Sequence, residues 1–284
     1  MTLAKVSSRA LMITTVIVLS SLGSTSTAIA ARPFSLPPQA KQIAKNIFYL
    51  GVGIHNGEQV RGYAFIFRQD NHAKPDGVGG GKKGGGSGGN EASSCYEFIG
   101  SGVKWKEVEN YIIDGSNNLA MSQANIESVI SAATIIWNDE VAAPIFGQQE
   151  AAPINHVFSA DTVTPLDDKN EVYFSDISDP AIDSNNTIAV TITWGVFSGP
   201  PRNRRFVEWD QVYNTAFTFG DASTNTGIMD FLGIAAHEVG HAAGMSHPES
   251  SCVDETMYAY AANGDTNKRD LNLGDITGIK KLYR

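Results

Sequence analysis

Three histidines and one glutamate are spaced so that they could bind a metal ion and activate water beside it. They are His237, Glu238, His241 and His247, in the segment HEVGHAAGMSH. Side chains four residues apart lie on one face of a helix, so the first two histidines can offer ring nitrogens to one ion. Gly244 can take a left-handed backbone conformation, which ends the helix and returns the chain toward those histidines. The pattern therefore predicts three imidazole ligands around one ion.

The predicted ligand set favours a catalytic zinc ion. Three neutral imidazoles around zinc leave a fourth coordination position open for water, whereas a structural zinc site is closed. Zinc lowers the pKa of that water toward neutrality, and Glu238, displaced around the helix from the ligands, is placed to accept its proton. The carboxylate can then pass the proton to a leaving amine, which is the chemistry of peptide hydrolysis. Three imidazoles also accept copper, cobalt or nickel, so these metals stay open as alternatives.

A helix over about 231–243, with Asp230 as its N-cap, is predicted to carry the first two histidines. Apolar residues recur on its other side: Phe231, Ala235, Val239 and Ala242. We expect this side to pack into the core and to hold the ligands rigid.

Other helices and strands are predicted around this one, which indicates an α+β domain. A helix begins after Ser122, and a last helix covers about 273–283, where Asn272 and Asp275 have the spacing of a capping box. The predicted strands are 103–113, 171–174, 188–194 and 206–213.

The first thirty residues have the features of a secretory signal peptide. Lys5 and Arg9 precede an apolar run over 11–19, and small residues end at Ala30. This run is about half the roughly 20 residues that cross a bilayer as a helix, so cleavage after Ala30 is favoured over a retained anchor. No later stretch is apolar for long enough to span, and we expect a secreted, soluble mature protein.

The charge balance excludes some classes of partner. The sequence has 21 basic and 30 acidic residues, for a formal net charge of −9, and loss of Lys5 and Arg9 makes it more negative still. An acidic surface is unfavourable for binding nucleic acid or anionic lipid. A protein or peptide, bound in extended form, is the expected partner, and the sequence does not predict an oligomeric state.

Two segments are predicted between the signal peptide and the domain that carries the histidines. Residues 31–76 are rich in β-forming residues, and the runs 46–53 and 60–68, separated by Asn56-Gly57, predict a hairpin. Residues 77–92 are rich in glycine and predict a flexible linker. The histidine-bearing domain then covers 93–284. The β-rich segment is small for independent stability, and both an accessory and an inhibitory role stay open for it.

The histidine segment resembles the metzincin metallopeptidases, and among them the matrixins, because a methionine turn follows it in both. Here the turn is ETMYAY over 255–260, and LNLGDITGIKKLY over 271–283 is similar to the closing helix of matrixins. The resemblance covers about 103–284. It implies a zinc-dependent endopeptidase with a twisted, mostly parallel five-stranded sheet, helices behind it, and the metal in a horizontal cleft. Met257 would form a hydrophobic floor beneath the zinc.

The resemblance also implies how a substrate binds. The strand over 188–194 corresponds to the antiparallel edge strand of matrixins, which pairs with an extended peptide by strand addition. The loop over about 250–269 shapes the side-chain pocket, whose preference the sequence does not disclose.

The sequence departs from the matrixin pattern at several places. It has no PRCGxPD-type latency motif. Gly274 stands where matrixins commonly have the first of two acidic residues, directly before Asp275. Pro248 after the third histidine is more like the serralysins, whose glycine-aspartate repeats are absent.

Cys95 and Cys252 are predicted to form one disulfide in an oxidising compartment. In the alternative, Cys95 supplies a thiolate to the open zinc position of a latent precursor. Six aspartates crowd one region and predict either solvated loop acids or a calcium site: Asp161, Asp167, Asp168, Asp176, Asp179 and Asp183. The remaining histidines have no ligand spacing and are expected on the surface or in loops: His55, His72 and His156.

A secreted zinc endopeptidase is therefore the predicted function. A noncatalytic zinc-containing surface or binding protein is the main alternative, and Glu238 disfavours it because a structural site needs no base beside an open coordination position. A hydrolase of a non-peptide amide, such as a cell-wall link, is a third possibility.

Overall fold

The structure, a computed structural model, describes residues 33–70, 93–116, 118, 120–154 and 166–284. The predicted signal peptide, the predicted linker over 77–92, His72, His156 and Asp161 lie outside the described residues. Residues Ala31–Arg284 belong to one compact unit.

Most of the described strands join one mixed sheet. The strands in chain order are β1 (Lys41–Ala44), β2 (Ile47–His55), β3 (Glu58–Gln69), β4 (Glu97–Phe98), β5 (Glu109–Asp114), β6 (Phe146–Glu150), β7 (Glu171–Ser175), β8 (Thr187–Val196), β9 (Arg205–Asn214), β10 (Phe219–Gly220), β11 (Met229–Asp230), β12 (Met245–Ser246) and β13 (Tyr260–Ala261). The large sheet has the order β1-β2-β3-β8-β9-β7-β5-β6, and β13 pairs with the end of β3.

Five of these strands form the sheet that the matrixin resemblance implies. β6, β5, β7 and β9 are parallel neighbours, and β8 is antiparallel to β9. The predicted α+β class is thereby confirmed. The sheet continues past β8, however, because β3 pairs with β8 in antiparallel register and β2 pairs with β3. The predicted hairpin is thus part of the same sheet.

Three α-helices are described: α1 (Gln123–Asn138), α2 (Phe231–Ala242) and α3 (Leu273–Leu282). Each begins at the residue that its capping signal predicts. Ser122 accepts from Asn125 N, Asp230 accepts from Gly233 N, and Asn272 forms a capping box with Asp275. Among the described residues, no helix combines the length and apolar content that a bilayer crossing requires.

The predicted strand over 103–113 is wrong for its first six residues, because β5 begins only at Glu109. Val103 and Trp105 are buried for another reason: they pack in the core beneath the helices, and Trp105 Nε1 donates to Ala242 O at 2.7 Å. The sequence prediction missed β6, whose residues FGQQE lack the β-branched side chains typical of a strand. Its pairing with β5 comes from the tertiary fold.

The histidine-bearing helix α2 is enclosed by the core. All of its residues except Leu232 are buried. Trp137 of α1 donates from Nε1 to Ala236 O at 2.8 Å, which joins the two helices. Burial of apolar surface on several sides restricts the movement of the helix, so the ligand positions on it are fixed by packing.

Candidate active site

The structure brings the three predicted ligands together. The Nε2 atoms of His237 and His247 lie 3.2 Å apart, and His241 Nε2 lies 3.1 Å from each of them. Four tetrahedral ligands at the usual zinc–nitrogen distance would be separated by about 3.3 Å. The three nitrogens therefore have the spacing of one tetrahedral ion, and no other group of three or more potential ligands converges within the described residues.

Hydrogen bonds fix which ring nitrogen of two histidines would face an ion. His237 Nδ1 lies 2.7 Å from Thr256 O, and His241 Nδ1 lies 2.8 Å from Met245 O. A carbonyl only accepts, so each Nδ1 carries the proton and each Nε2 presents a lone pair. Three lone pairs at this spacing repel one another, and a cation between them removes the repulsion. The donor set fits zinc.

The surroundings also keep these rings neutral. Burial lowers the pKa of His241 to about 3, and burial lowers the pKa of His237 and His247 well below the ordinary value. Protonated imidazole cannot bind a metal, so a buried site that disfavours the charged ring keeps the ligands available.

Glu238 lies beside the ligands on α2 and is fully buried. Its Oε2 accepts a hydrogen bond of 2.5 Å from Thr191 Oγ1 of β8. Burial raises the pKa of this carboxyl to about 8, and the Thr191 hydrogen bond opposes that rise. Among the described residues Oε1 has no hydrogen-bond partner. One carboxyl oxygen is thus held in place while the other is available for proton transfer.

Gly244 makes the turn that the sequence predicts. Its φ is +105°, and a side chain there would press on Phe206, whose Cε2 would lie 2.8 Å from the added Cβ. The chain after the turn is held because Ile99 N donates to Gly244 O at 3.1 Å and β12 pairs with β4. This local pairing brings His247 back to the ligands on α2.

A network beneath the ligands connects His237 to α3. Thr256, whose carbonyl accepts from His237, donates its own N–H to Asp275 Oδ2 at 2.7 Å. Met257 N donates to Asp275 Oδ1 at 3.2 Å. Met257 is buried, and Gly240 leaves room for it, since an added Cβ would overlap Met257 Sδ. The methionine turn is therefore held by a buried carboxylate and packs against the histidine-bearing helix.

Steric contacts explain why position 274 is a glycine. An added Cβ would overlap Cys95 O and lie 2.7 Å from the Glu255 carboxylate. Glu255 Oε2 instead accepts from the backbone N–H groups of Gly274 and Asp275. The Glu255 carboxylate thus supplies the hydrogen-bond acceptor for the free N–H groups in the first turn of α3. Because this carboxylate lies against position 274, an acidic side chain has no space there.

Cys95 and Cys252 form a disulfide in the structure. The bond joins the start of the histidine-bearing domain to the loop after His247. Cys95 is therefore not placed at the metal ligands.

The described aspartates of the acidic region serve separate contacts. Asp179 accepts from Leu36 N at 2.6 Å, and Asp183 lies 3.4 Å from Arg68. Asp168 Oδ1 lies 2.6 Å from Nε2 of His55, which is half-buried at the end of β2, next to the hairpin turn. Calcium binding stays a prediction.

Several residues around the site were missed by sequence reasoning. Thr191 has a usable signal, because alternation along β8 places it on the same face as the helices. Thr256 acts through its carbonyl, which any residue provides. Phe65 and Phe67 stack on the rings of His241 and His237, and Lys268 lies beside the Phe67 ring. These contacts depend on long-range packing, so no local sequence pattern indicates them.

The fold and the site together define a metallopeptidase of the metzincin class. The sheet is mixed, with one antiparallel strand beside β9. The three histidines of the HEVGHAAGMSH segment converge, and a methionine turn lies beneath them. A sequence model of the matrixin family matches residues 104–284, which is more than half of the chain. The chain belongs to the matrixin family, whose members are zinc-dependent and generally extracellular. The chain is also similar to human matrilysin, with 46% identity over 55 residues; this match covers 19% of the chain and 20% of matrilysin.

Proposed function

We propose that this protein is a secreted zinc-dependent endopeptidase with His237, His241 and His247 as ligands and Glu238 as general base. The observation that carries the proposal is the convergence of three Nε2 atoms beside a buried carboxyl. A zinc ion held there would supply Lewis acidity, which polarises a substrate carbonyl and lowers the pKa of water.

Glu238 moves the proton in this proposal. A divalent cation held by the neutral imidazoles would favour the carboxylate form of Glu238, against the effect of burial. Thr191 holds Oε2, so Oε1 accepts a proton from the attacking water and later delivers it to the leaving amine. Exclusion of solvent strengthens these charge interactions because the local dielectric is low.

Casein cleavage tests this function. The zinc-loaded protein is incubated with casein, with and without a zinc chelator. It is assayed both intact and after a cut within residues 71–92, because an inhibitory role is open for the segment over 31–76. We expect cleavage that chelation abolishes and zinc restores, and a loss on the order of 100-fold or more in Glu238→Ala. Thr215→Ala, in a loop after β9, is the control and should retain activity.

Other outcomes identify the alternatives. A protein that retains zinc but cuts no peptide in either form would support the noncatalytic binding protein. Hydrolysis of cell-wall amides without casein cleavage would support the third possibility. Export is tested separately by N-terminal sequencing of protein from the medium, which should begin at Ala31.

A further inference from the structure

We propose that β3 is an internal inhibitor, which lies in the groove where a substrate strand would bind and must leave before the enzyme can cut. The inference rests on the proposed function, since it concerns regulation of the same site. It assigns an inhibitory role to the β-rich segment over 31–76.

β3 uses the edge of β8 that a substrate would need. The two strands pair in antiparallel register from Arg61 opposite Gly195 to Arg68 opposite Thr187. The other edge of β8 is paired with β9. Strand addition requires unpaired backbone groups, so β8 cannot accept another peptide along this length while β3 is in place.

The end of β3 is held on its other side as well. Arg68 N donates to Ala259 O at 3.3 Å, and Asp70 N donates to Ala261 O at 2.9 Å. Gln69 N donates to Asn186 O at 2.7 Å, on the side of β8. Residues 68–70 therefore lie between β8 and the segment after the methionine turn, and fill the groove between them.

Two aromatic side chains of β3 cover the ligands. The ring of Phe67 stacks on His237 with centroids 3.8 Å apart, and the ring of Phe65 stacks on His241 at 4.6 Å. Both phenylalanines are at most 1% exposed. A substrate carbonyl cannot approach these two imidazoles from this side without displacing the rings.

Phe67 also lies beside a buried lysine. Lys268 Nζ lies 5.8 Å from the centre of the Phe67 ring and 5.2 Å from the Tyr258 ring, and it donates to Glu255 O. A cation at this distance from an aromatic ring is attracted to it. Once β3 has left, an aromatic side chain of a substrate could take the place of the Phe67 ring beside Lys268.

The covalent structure allows β3 to be released. The chain has two cysteines, and their disulfide joins positions that both follow residues 71–92. A cut within that segment therefore leaves β1 to β3 attached only by noncovalent contacts. Before the cut, β3 is present at an effective concentration of about 1 mM, the range for short tethers. After the cut, dilution to nanomolar protein favours its loss.

A binding experiment tests the occupancy of the groove without depending on catalysis. The recognition sequence of a site-specific protease is inserted between Gly84 and Gly85 of zinc-loaded Glu238→Ala protein. A fluorescent peptide with the sequence of residues 58–70 is added before the cut, and again after the cut and removal of the fragment. We expect binding only after the cut, and on the order of 100-fold weaker binding of the same peptide with Phe67→Ala.

A second experiment measures peptide cleavage by the uncut chain. Phe67→Ala should raise cleavage by about tenfold or more over the wild type, because the tethered strand is held less tightly. Ile54→Ala, an exposed position on β2 of the same hairpin, is the matched control and should leave the rate unchanged.

Two results would overturn the inference. One is equal peptide binding by the cut and uncut proteins, and the other is a measurable rate of cleavage that is the same for the cut and uncut wild-type chains. Peptide binding that requires the cut, together with a wild type that never cleaves, would instead contradict the proposed function and leave the occupied groove established.

Discussion

Asp275 is a buried carboxylate that touches no histidine, yet its hydrogen bonds to Thr256 and Met257 hold the turn that orients His237. It also accepts from Asn272 N at the start of α3. Removal of the side chain leaves three backbone donors without this partner, and each buried unsatisfied donor costs about 1–3 kcal/mol. Groups behind a metal ligand affect metal affinity because they fix the ring orientation.

We therefore expect Asp275→Ala to weaken zinc binding by about 10- to 100-fold, and Asp275→Asn, which keeps one acceptor oxygen, to weaken it less. Zinc affinity is measured by competition with a chromophoric chelator. Asp270→Asn, at an exposed aspartate of the same segment, should bind zinc like the wild type. Unchanged affinity in Asp275→Ala would show that the turn holds its position without the carboxylate.

Glu208 is a buried acid whose ionisation opposes folding. Burial first, and then the carboxylates of Asp167 and Asp168, raise the pKa of Glu208 to about 8, although backbone hydrogen bonds from Asp168 and Asp167 oppose the rise. The pKa of Asp210 is also raised, by burial first and then by Glu208. Between the ordinary value of 4.5 and about 8, the folded chain thus binds more protons at Glu208 than the unfolded chain.

The free energy of unfolding should therefore fall as pH rises from about 4.5 to 8, by at most about 1.4 kcal/mol per pH unit for this group. Glu208→Gln should make that slope shallower and stabilise the protein at pH 8. Urea unfolding at several pH values, in the presence of a metal chelator, measures it. Glu107→Gln, at an exposed glutamate, should keep the wild-type slope. A steeper slope in Glu208→Gln would contradict the assignment.

Helix α2 contains two interior glycines in different surroundings. A Cβ at Gly240 would overlap Met257 Sδ and lie 2.5 Å from the Trp137 ring. A Cβ at Gly233 would have its nearest neighbours at 3.2 Å, on Asp230 and Lys268. Alanine favours a helix over glycine by about 1 kcal/mol, so substitution by alanine brings this gain at both positions. The two positions differ in the space available for the added methyl group.

We expect Gly240→Ala to destabilise the protein by about 1–3 kcal/mol, because the added methyl group overpacks the contact between α2, α1 and the methionine turn. Gly233→Ala should change stability by less than about 1 kcal/mol. Chemical denaturation of the zinc-loaded proteins compares them. Equal effects at both positions would mean that the core adjusts freely around Gly240.

Local signals were sufficient for the helices and for the ligand pattern. Ser122, Asp230 and Asn272 are capping residues whose side chains act within three residues, so sequence spacing alone indicates the helix starts. The eleven-residue histidine segment folds on itself through the Gly244 turn, so its ligands were predictable. Strand β6 was not predictable from local signals. Its conformation comes from pairing with β5, which is separated from it in the sequence by α1.

The position of the N-terminal hairpin is a property of the whole chain that its sequence does not indicate. Asn56-Gly57 predicts the turn of the hairpin, and the structure has Asn56 and Gly57 both at positive φ. Which edge the hairpin joins depends on β8, more than a hundred residues later. The five-stranded sheet implied by the resemblance is therefore present, but its antiparallel edge is covered by β3 of the same chain.

The Cys95–Cys252 disulfide closes a loop with a sequence separation of 157 and holds the chain before β5 against the start of α3, where Gly274 packs on Cys95 O. Chain entropy sets an upper bound of about 5 kcal/mol for a loop of this length, and measured losses are about 2–5 kcal/mol. We expect the Cys95→Ser/Cys252→Ser protein to lose stability in that range by urea unfolding. The reduced wild type is the control and should unfold at the same urea concentration as the variant, since both lack the bond. Because the ligands are held by α2, β12 and the Thr256 carbonyl, the folded variant should still bind zinc; loss of zinc binding at low temperature would show that the disulfide also positions the site.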